Sequence, residues 1–89
     1  MTPYGKYSNK TASGLIATGA GVLVGVMVNS QTGGTLKFED ALTDTTPVIF
    51  NTITIGATER WIPFGGARFT TGLYLVVGGT ADITVIYNQ

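Results

Sequence analysis

The chain contains no cysteine and no histidine. Their absence removes disulfides, Cys/His zinc sites, haem ligation, thiol chemistry and the usual nucleophile–base pairs together. Charge is scarce as well: 11% of the residues are Asp, Glu, Lys or Arg, against about 25% in an ordinary soluble domain. Lys6, Lys10, Lys37, Arg60 and Arg68 balance Glu39, Asp40, Asp44, Glu59 and Asp82, and the basic residues do not cluster. A phosphate-tracking groove, and with it nucleic-acid binding, is not expected. Helical periodicity is missing too, since no segment repeats its apolar residues at three- and four-residue intervals.

One apolar run stands out. Leu15–Val28, LIATGAGVLVGVMV, has the hydropathy of a secretory-signal core. It is too short for a membrane-spanning helix, which needs about 20 apolar residues. Gly14, Gly19, Gly21 and Gly25 weaken a helix there, and the alternation Val22, Val24, Val26, Val28 fits a strand. No membrane association is expected.

What remains is a chain of 89 residues that is 44% hydrophobic and has zero net charge. A single domain of this size buries roughly 60–65% of the surface it exposes when unfolded, so its core is modest. Without cross-links, stability must come from apolar packing, from a partner, or from both. Few charges and no net charge give little protection against association, which suits a molecule that lives in an assembly.

Short β-branched and aromatic runs, separated by turn residues, dominate the chain. The clearest is at the end, where Leu73–Val77 and Ala81–Tyr87 flank Gly78-Gly79-Thr80 and predict a β-hairpin. A second hairpin is predicted over Gly25–Asp40, around Ser30–Gly34. There Leu36 and Phe38 are expected to point inward, and Thr35, Lys37 and Glu39 to solvent. Val22–Asn29 reads as a central strand with apolar residues on both faces, and Gly14–Thr18 as a short one. Val48–Ile55 switches apolar parity near Asn51-Thr52, as a bulge would make it do. Pro63 confines Arg60–Phe64 to an edge or a strand end. The expected fold is all-β: a small antiparallel β-sandwich, jelly-roll-like, of about seven or eight strands. Residues 1–13 are read as an N-terminal arm or short first strand, and residues 14–89 as the sandwich domain.

Candidate chemistry is thin. Carboxylate pairs drawn from Glu39, Asp40, Asp44, Glu59 and Asp82 are the only basis for a hydrolase, and a small sandwich leaves little room for a cleft. Glu39, Asp40 and Asp44 gather around one loop but match no calcium-loop spacing. No glycine run follows a strand and opens a helix, so phosphate cradles are absent. Phe38, Phe50, Phe64 and Phe69 are expected in the core. Tyr and Trp favour places where one end is apolar and the other wet, and Arg is a frequent interface anchor. Tyr4, Tyr7, Trp61 and Arg68 are therefore the candidate partner-interface residues. Neither a catalytic residue nor a cofactor is expected.

The segments GVMVNSQTGGTLKFED (Gly25–Asp40), PVIFNTITIG (Pro47–Gly56), RWIPF (Arg60–Phe64) and FTTGLYLVVGGTADITVIY (Phe69–Tyr87) resemble small virion proteins of tailed bacteriophages. In that group a G-G-T hairpin precedes an N-T-I-T strand, a W-x-P-F segment and a closing G-G-T-A-D hairpin. The likeness covers most of the chain from Gly14 onward. It implies a jelly-roll or related β-sandwich capsid decoration (cement) protein, with no enzyme activity and no cofactor. The implied partner is the major capsid protein of the same virion. The implied location is the capsid surface, after synthesis in the host cytoplasm, and the expected state is a homo-oligomer, with a trimer at a local symmetry axis as one arrangement. The alternative is a carbohydrate-binding or adhesive β-sandwich displayed on the virion, as a head fibre or tail component, using Trp61 and exposed tyrosines.

Overall fold

The computed structural model describes residues 6–58 and 60–89. Tyr4, Glu59 and the first five residues of the predicted arm lie outside them. The described regular structure is entirely β, in one antiparallel sheet of six strands. These are β1 (Lys6–Lys10), β2 (Gly14–Thr18), β3 (Gly21–Glu39), β4 (Val48–Thr54), β5 (Trp61–Phe69) and β6 (Gly72–Asn88).

Two of the strands are long, and they pair with each other. β3 and β6 run antiparallel along almost their whole length, from Val22 opposite Asn88 to Glu39 opposite Tyr74. This overturns both predicted hairpins. Residues 73–77 pair with β2 on one side and β3 on the other, and residues 81–87 pair with β1 and β3. The two arms of the expected closing hairpin therefore never meet. Ser30–Gly34 and Gly78–Thr80 instead lie face to face in the middle of the ribbon.

The glycines explain why the sequence misleads here. Thr32 pairs with Thr80 and Thr35 with Gly78, so Gly33-Gly34 faces Gly79 alone, two residues against one. Gly33 (φ 59°) and Gly79 (φ 67°) both adopt left-handed backbone. That conformation serves a bulge in a paired ribbon as readily as a hairpin turn. Bulges bend the strands that carry them, and this one sits midway along the pair. Beyond it they join different neighbours.

Each long strand thus serves two half-sheets. In the first, the order is β1, the C-terminal part of β6, the N-terminal part of β3, and β5. In the second it is β2, the N-terminal part of β6, the C-terminal part of β3, and β4. Four segments in each half are what the sequence pattern registers as a larger number of short strands. β5 is an edge strand, as Pro63 requires, and one of the two register shifts of β4 falls between its pairings of Ile53 and Phe50, where the parity switch predicts one; the other falls between Phe50 and Val48.

One core joins the halves. Leu23, Val26, Ile83, Val85 and Phe69 from the first and Leu36, Phe38, Leu73 and Leu75 from the second are fully buried in a single cluster. Phe64 on β5 reaches across to Phe38 and Phe50, with ring centroids 5.2 and 4.6 Å apart. Aromatic pairs at such distances add roughly 0.5–1.5 kcal/mol each beyond the area they bury. The expectation that the four phenylalanines pack in the core holds, with Phe50 and Phe64 half-buried at its margin.

Two details of facing differ from the sequence pattern. A bulge between Leu23 and Gly25 shifts the alternation of β3, so Leu23, Val26 and Val28 are core while Val22 and Val24 are only half-buried. Glu39 shares a face with Lys37, away from the core, yet it is 1% exposed because the loop after it folds back over its carboxylate.

The crossing makes a sharp prediction about glycine. At Gly33 a Cβ would meet nothing, whereas at Gly79 it would fall well inside contact distance of the Gly33 carbonyl. Gly33→Ala should cost about 1–2 kcal/mol, the left-handed penalty alone. Gly79→Ala should cost at least about 3 kcal/mol, since backbone must also move. Urea denaturation of the two variants checks this; equal losses would contradict the crossing.

Candidate functional site

Residues directly opposite each other on neighbouring antiparallel strands point to the same side, so the register maps the surface facing away from the core. On the first half-sheet one row reads Trp61, Met27, Thr84, Asn9 across β5, β3, β6 and β1. The adjacent row reads Pro63, Gly25, Ile86, Tyr7. Tyr7 is 76% and Trp61 42% exposed. The six-membered ring of Trp61 lies over Gly25, where a Cβ would stand 2.5 and 2.6 Å from two ring atoms. Gly25 thereby gives the indole a seat on the sheet.

Beside these rings sits a polar cluster. Asn9 Nδ2 donates to Asp82 Oδ1 (2.8 Å) and to the Ile83 carbonyl (2.9 Å). Asn29 Nδ2 donates to Thr84 Oγ1 (3.1 Å) and Asp82 Oδ1 (3.2 Å). The Asn9 and Asn29 side chains hold the Asp82 carboxyl below the usual carboxylate range. Through Asn9 the cluster also pins β1 to β6.

Arg68 shares this face but not this place. It stands at the far end of β5, opposite Val22, beside an open depression of about 350 Å³ lined by Ala20, Gly21, Val22, Asn88 and Gln89. Of the four candidate interface residues, the structure brings Tyr7 and Trp61 onto adjacent rows, sets Arg68 apart, and does not describe Tyr4.

The second half-sheet has a different outer surface. Its row reads Leu15, Tyr74, Glu39, Val48 across β2, β6, β3 and β4. Leu15 and Val48 are exposed, as is Leu42 in the loop between β3 and β4. Two carboxylates hold that loop. Glu39 accepts from the Thr45 amide (3.1 Å) and pairs with Lys37 (3.2 Å). Asp40 accepts from the amides of Thr70, Thr71 and Gly72 and from the Thr70 hydroxyl. Leu42 covers Gly72, where a Cβ would come within 2.7 Å of its Cδ2.

These contacts also account for two of the acidic residues. Glu39 and Asp40 are engaged with separate partners, and among the described residues no group of three or more acidic side chains could hold a metal ion. No helix among them is long and apolar enough to cross a membrane. Compared with family models, with curated proteins and with solved structures, the chain matches none.

The sequence pattern marks the rings, considers Asp82 only as one of the carboxylates for a hydrolase pair, and misses Asn9, Asn29 and Thr84. A signal exists in part: Met27-x-Asn29 and Asp82-x-Thr84 alternate with the core residues Val26, Val28, Ile83 and Val85. That alternation puts them on the outer face, but only the register brings residues 9, 29 and 82 together.

Burial raises the Asp40 pKa, but the hydrogen bonds from Thr70, Thr71 and Gly72 outweigh it, and the net shift is downward. A lowered folded value means the stabilisation is complete above about pH 4 and is lost as pH falls through the folded pKa. Asp40→Ala should destabilise by about 2 kcal/mol at pH 7, as expected for hydrogen bonds to a charged group. It should also flatten the acid limb of a stability–pH curve from urea midpoints; an unchanged limb would contradict this role.

Proposed function

We propose that this chain is a structural module of a tailed-phage virion, a capsid decoration protein that docks on the coat shell through the outer face of its second half-sheet. The observation that carries the reading is three exposed aliphatic side chains on one face: Leu15 and Val48 at the two ends of the Leu15–Tyr74–Glu39–Val48 row, and Leu42 over Gly72. The one buried charge there is already satisfied by Lys37 and Thr45, so covering this face strands no carboxylate. Removing such apolar surface from water contributes about 25 cal/mol per Å². The resemblance of four segments to small virion proteins supplies the class of partner, the major capsid protein, and the place, the capsid surface.

The finer architecture we propose is a β-sandwich of jelly-roll type, with the two half-sheets closed over their common core. The reach of Phe64 to Phe38 and Phe50 supports it. Action in this reading is mechanical. Separating coat subunits bridged by the module must also strip its buried contacts, and the shell in turn stabilises a small core by mass action. A homo-oligomer, such as a trimer at a local symmetry axis, multiplies the effect by raising the effective concentration of each docking face.

The reading predicts that heads stripped of this protein rupture at lower temperature, and that adding it back restores them. Leu15→Ser and Val48→Ser should each weaken rebinding by about tenfold, the loss of one interface anchor, while Trp61→Ala rebinds like the parent. Circular dichroism controls for folding. Heads that rupture at the same temperature with and without the protein would overturn the proposal.

A further inference from the structure

We propose that the outer face of the first half-sheet binds a neutral oligosaccharide, stacked on Trp61 and Tyr7 and hydrogen-bonded to the Asn9–Asn29–Asp82 cluster. The inference concerns the isolated chain and holds whether or not the other face docks on a shell.

Recognition begins with the rings. Trp61 on β5 and Tyr7 on β1 flank a face four strands wide; three strand spacings and one two-residue step along the strands put their backbones about 16 Å apart. That span accommodates a short chain of sugar rings. The faces of both aromatics carry the negative lobe of their quadrupole, which attracts the polarised C–H groups on the flat side of a pyranose. The Trp61 ring is seated against Gly25 rather than swinging free, so little freedom is lost when a ligand covers it.

The cluster beside the rings selects the chemistry; between the rings, on β3 and β6, stand Met27, Thr84, Gly25 and Ile86. Both amide nitrogens turn inward, onto Asp82, Thr84 and the Ile83 carbonyl. The side-chain oxygens of Asn9 and Asn29 and the second oxygen of Asp82 take no hydrogen bond from the described residues. A ligand for three acceptors must bring donors, and sugar hydroxyls are donors. The ionised Asp82 repels phosphate, sulfate and carboxylate groups, so among sugars the cluster favours neutral ones.

The same acceptors argue against an apolar protein occupant. An apolar protein patch laid over them would strand buried acceptors, at about 1–3 kcal/mol each. A second copy packed by a twofold axis through Asp82 would set carboxylate against carboxylate. The aliphatic face of the other half-sheet carries neither difficulty, which separates the two surfaces by chemistry.

Trp61 is the only tryptophan in the chain, so its emission reports directly on this face. The test titrates the protein with neutral gluco-, manno-, galacto- and N-acetylhexosamine oligomers, and with sialylated and sulfated glycans. At least one neutral oligomer should give a saturable change in emission. Asn29→Ala and Asp82→Ala should each weaken it tenfold or more, and Trp61→Ala should lose binding on a glycan array, all with unchanged circular dichroism. Four results would overturn the proposal: no response to any neutral oligomer, binding of anionic glycans alone, full binding by Trp61→Ala, or burial of Trp61 through self-association on sedimentation.

Discussion

The crossing of Gly33-Gly34 and Gly78-Gly79 inside the β3/β6 ribbon is the constraint on which the rest of the structure depends. Paired strands of 19 and 17 residues would, if unbroken, make a ribbon too long for a chain this small to cover. Two residues opposed to one, with left-handed backbone on both sides, bend the ribbon where no side chain obstructs it. The segment after β4 is tied into the same corner. Ile55 donates to the Gly34 carbonyl, and Gln31 accepts from the Gly34 amide while donating to Gly56. Ile55 and Ala81 then pack against Gly34. A chain without disulfides or a histidine-bound metal has here a backbone device that fixes how its two halves meet.

That bend gives the molecule two outer surfaces with unlike chemistry. One sets exposed aliphatic side chains about a carboxylate, Glu39, that its own loop closes from water. The other sets aromatic rings beside acceptors open to solvent. Both follow from register: Leu15 reaches Val48 only through Tyr74 and Glu39, and Trp61 reaches Asn9 only through Met27 and Thr84. The proposed decoration role, with a shell on one side and glycans on the other, needs such a division.

The class of fold is legible in the sequence because period-two alternation is a local property. Leu36 and Phe38, Leu73 and Leu75, and Ile83 and Val85 announce buried faces, and Pro63 announces an edge. The connectivity is not legible, because Gly-Gly-Thr supplies the same left-handed backbone to a hairpin and to a bent ribbon. Which one forms depends on partners some 50 residues away. The same limit applies at the candidate sites. Trp61 and Tyr7 carry a signal in their residue type, whereas Asn9, Asn29 and Asp82 are ordinary polar residues until pairing assembles them. Glu39 shows the converse case: alternation gives its direction, but its burial is the work of the loop that follows.

The most direct measurement is electron cryo-microscopy of a particle carrying this chain, at a resolution that shows its orientation. The account requires Leu15, Leu42 and Val48 against the coat protein, with Trp61, Tyr7 and Asp82 turned to solvent. Density with the Trp61 face pressed on the shell, or particles whose shell carries no copy of the chain, would contradict it.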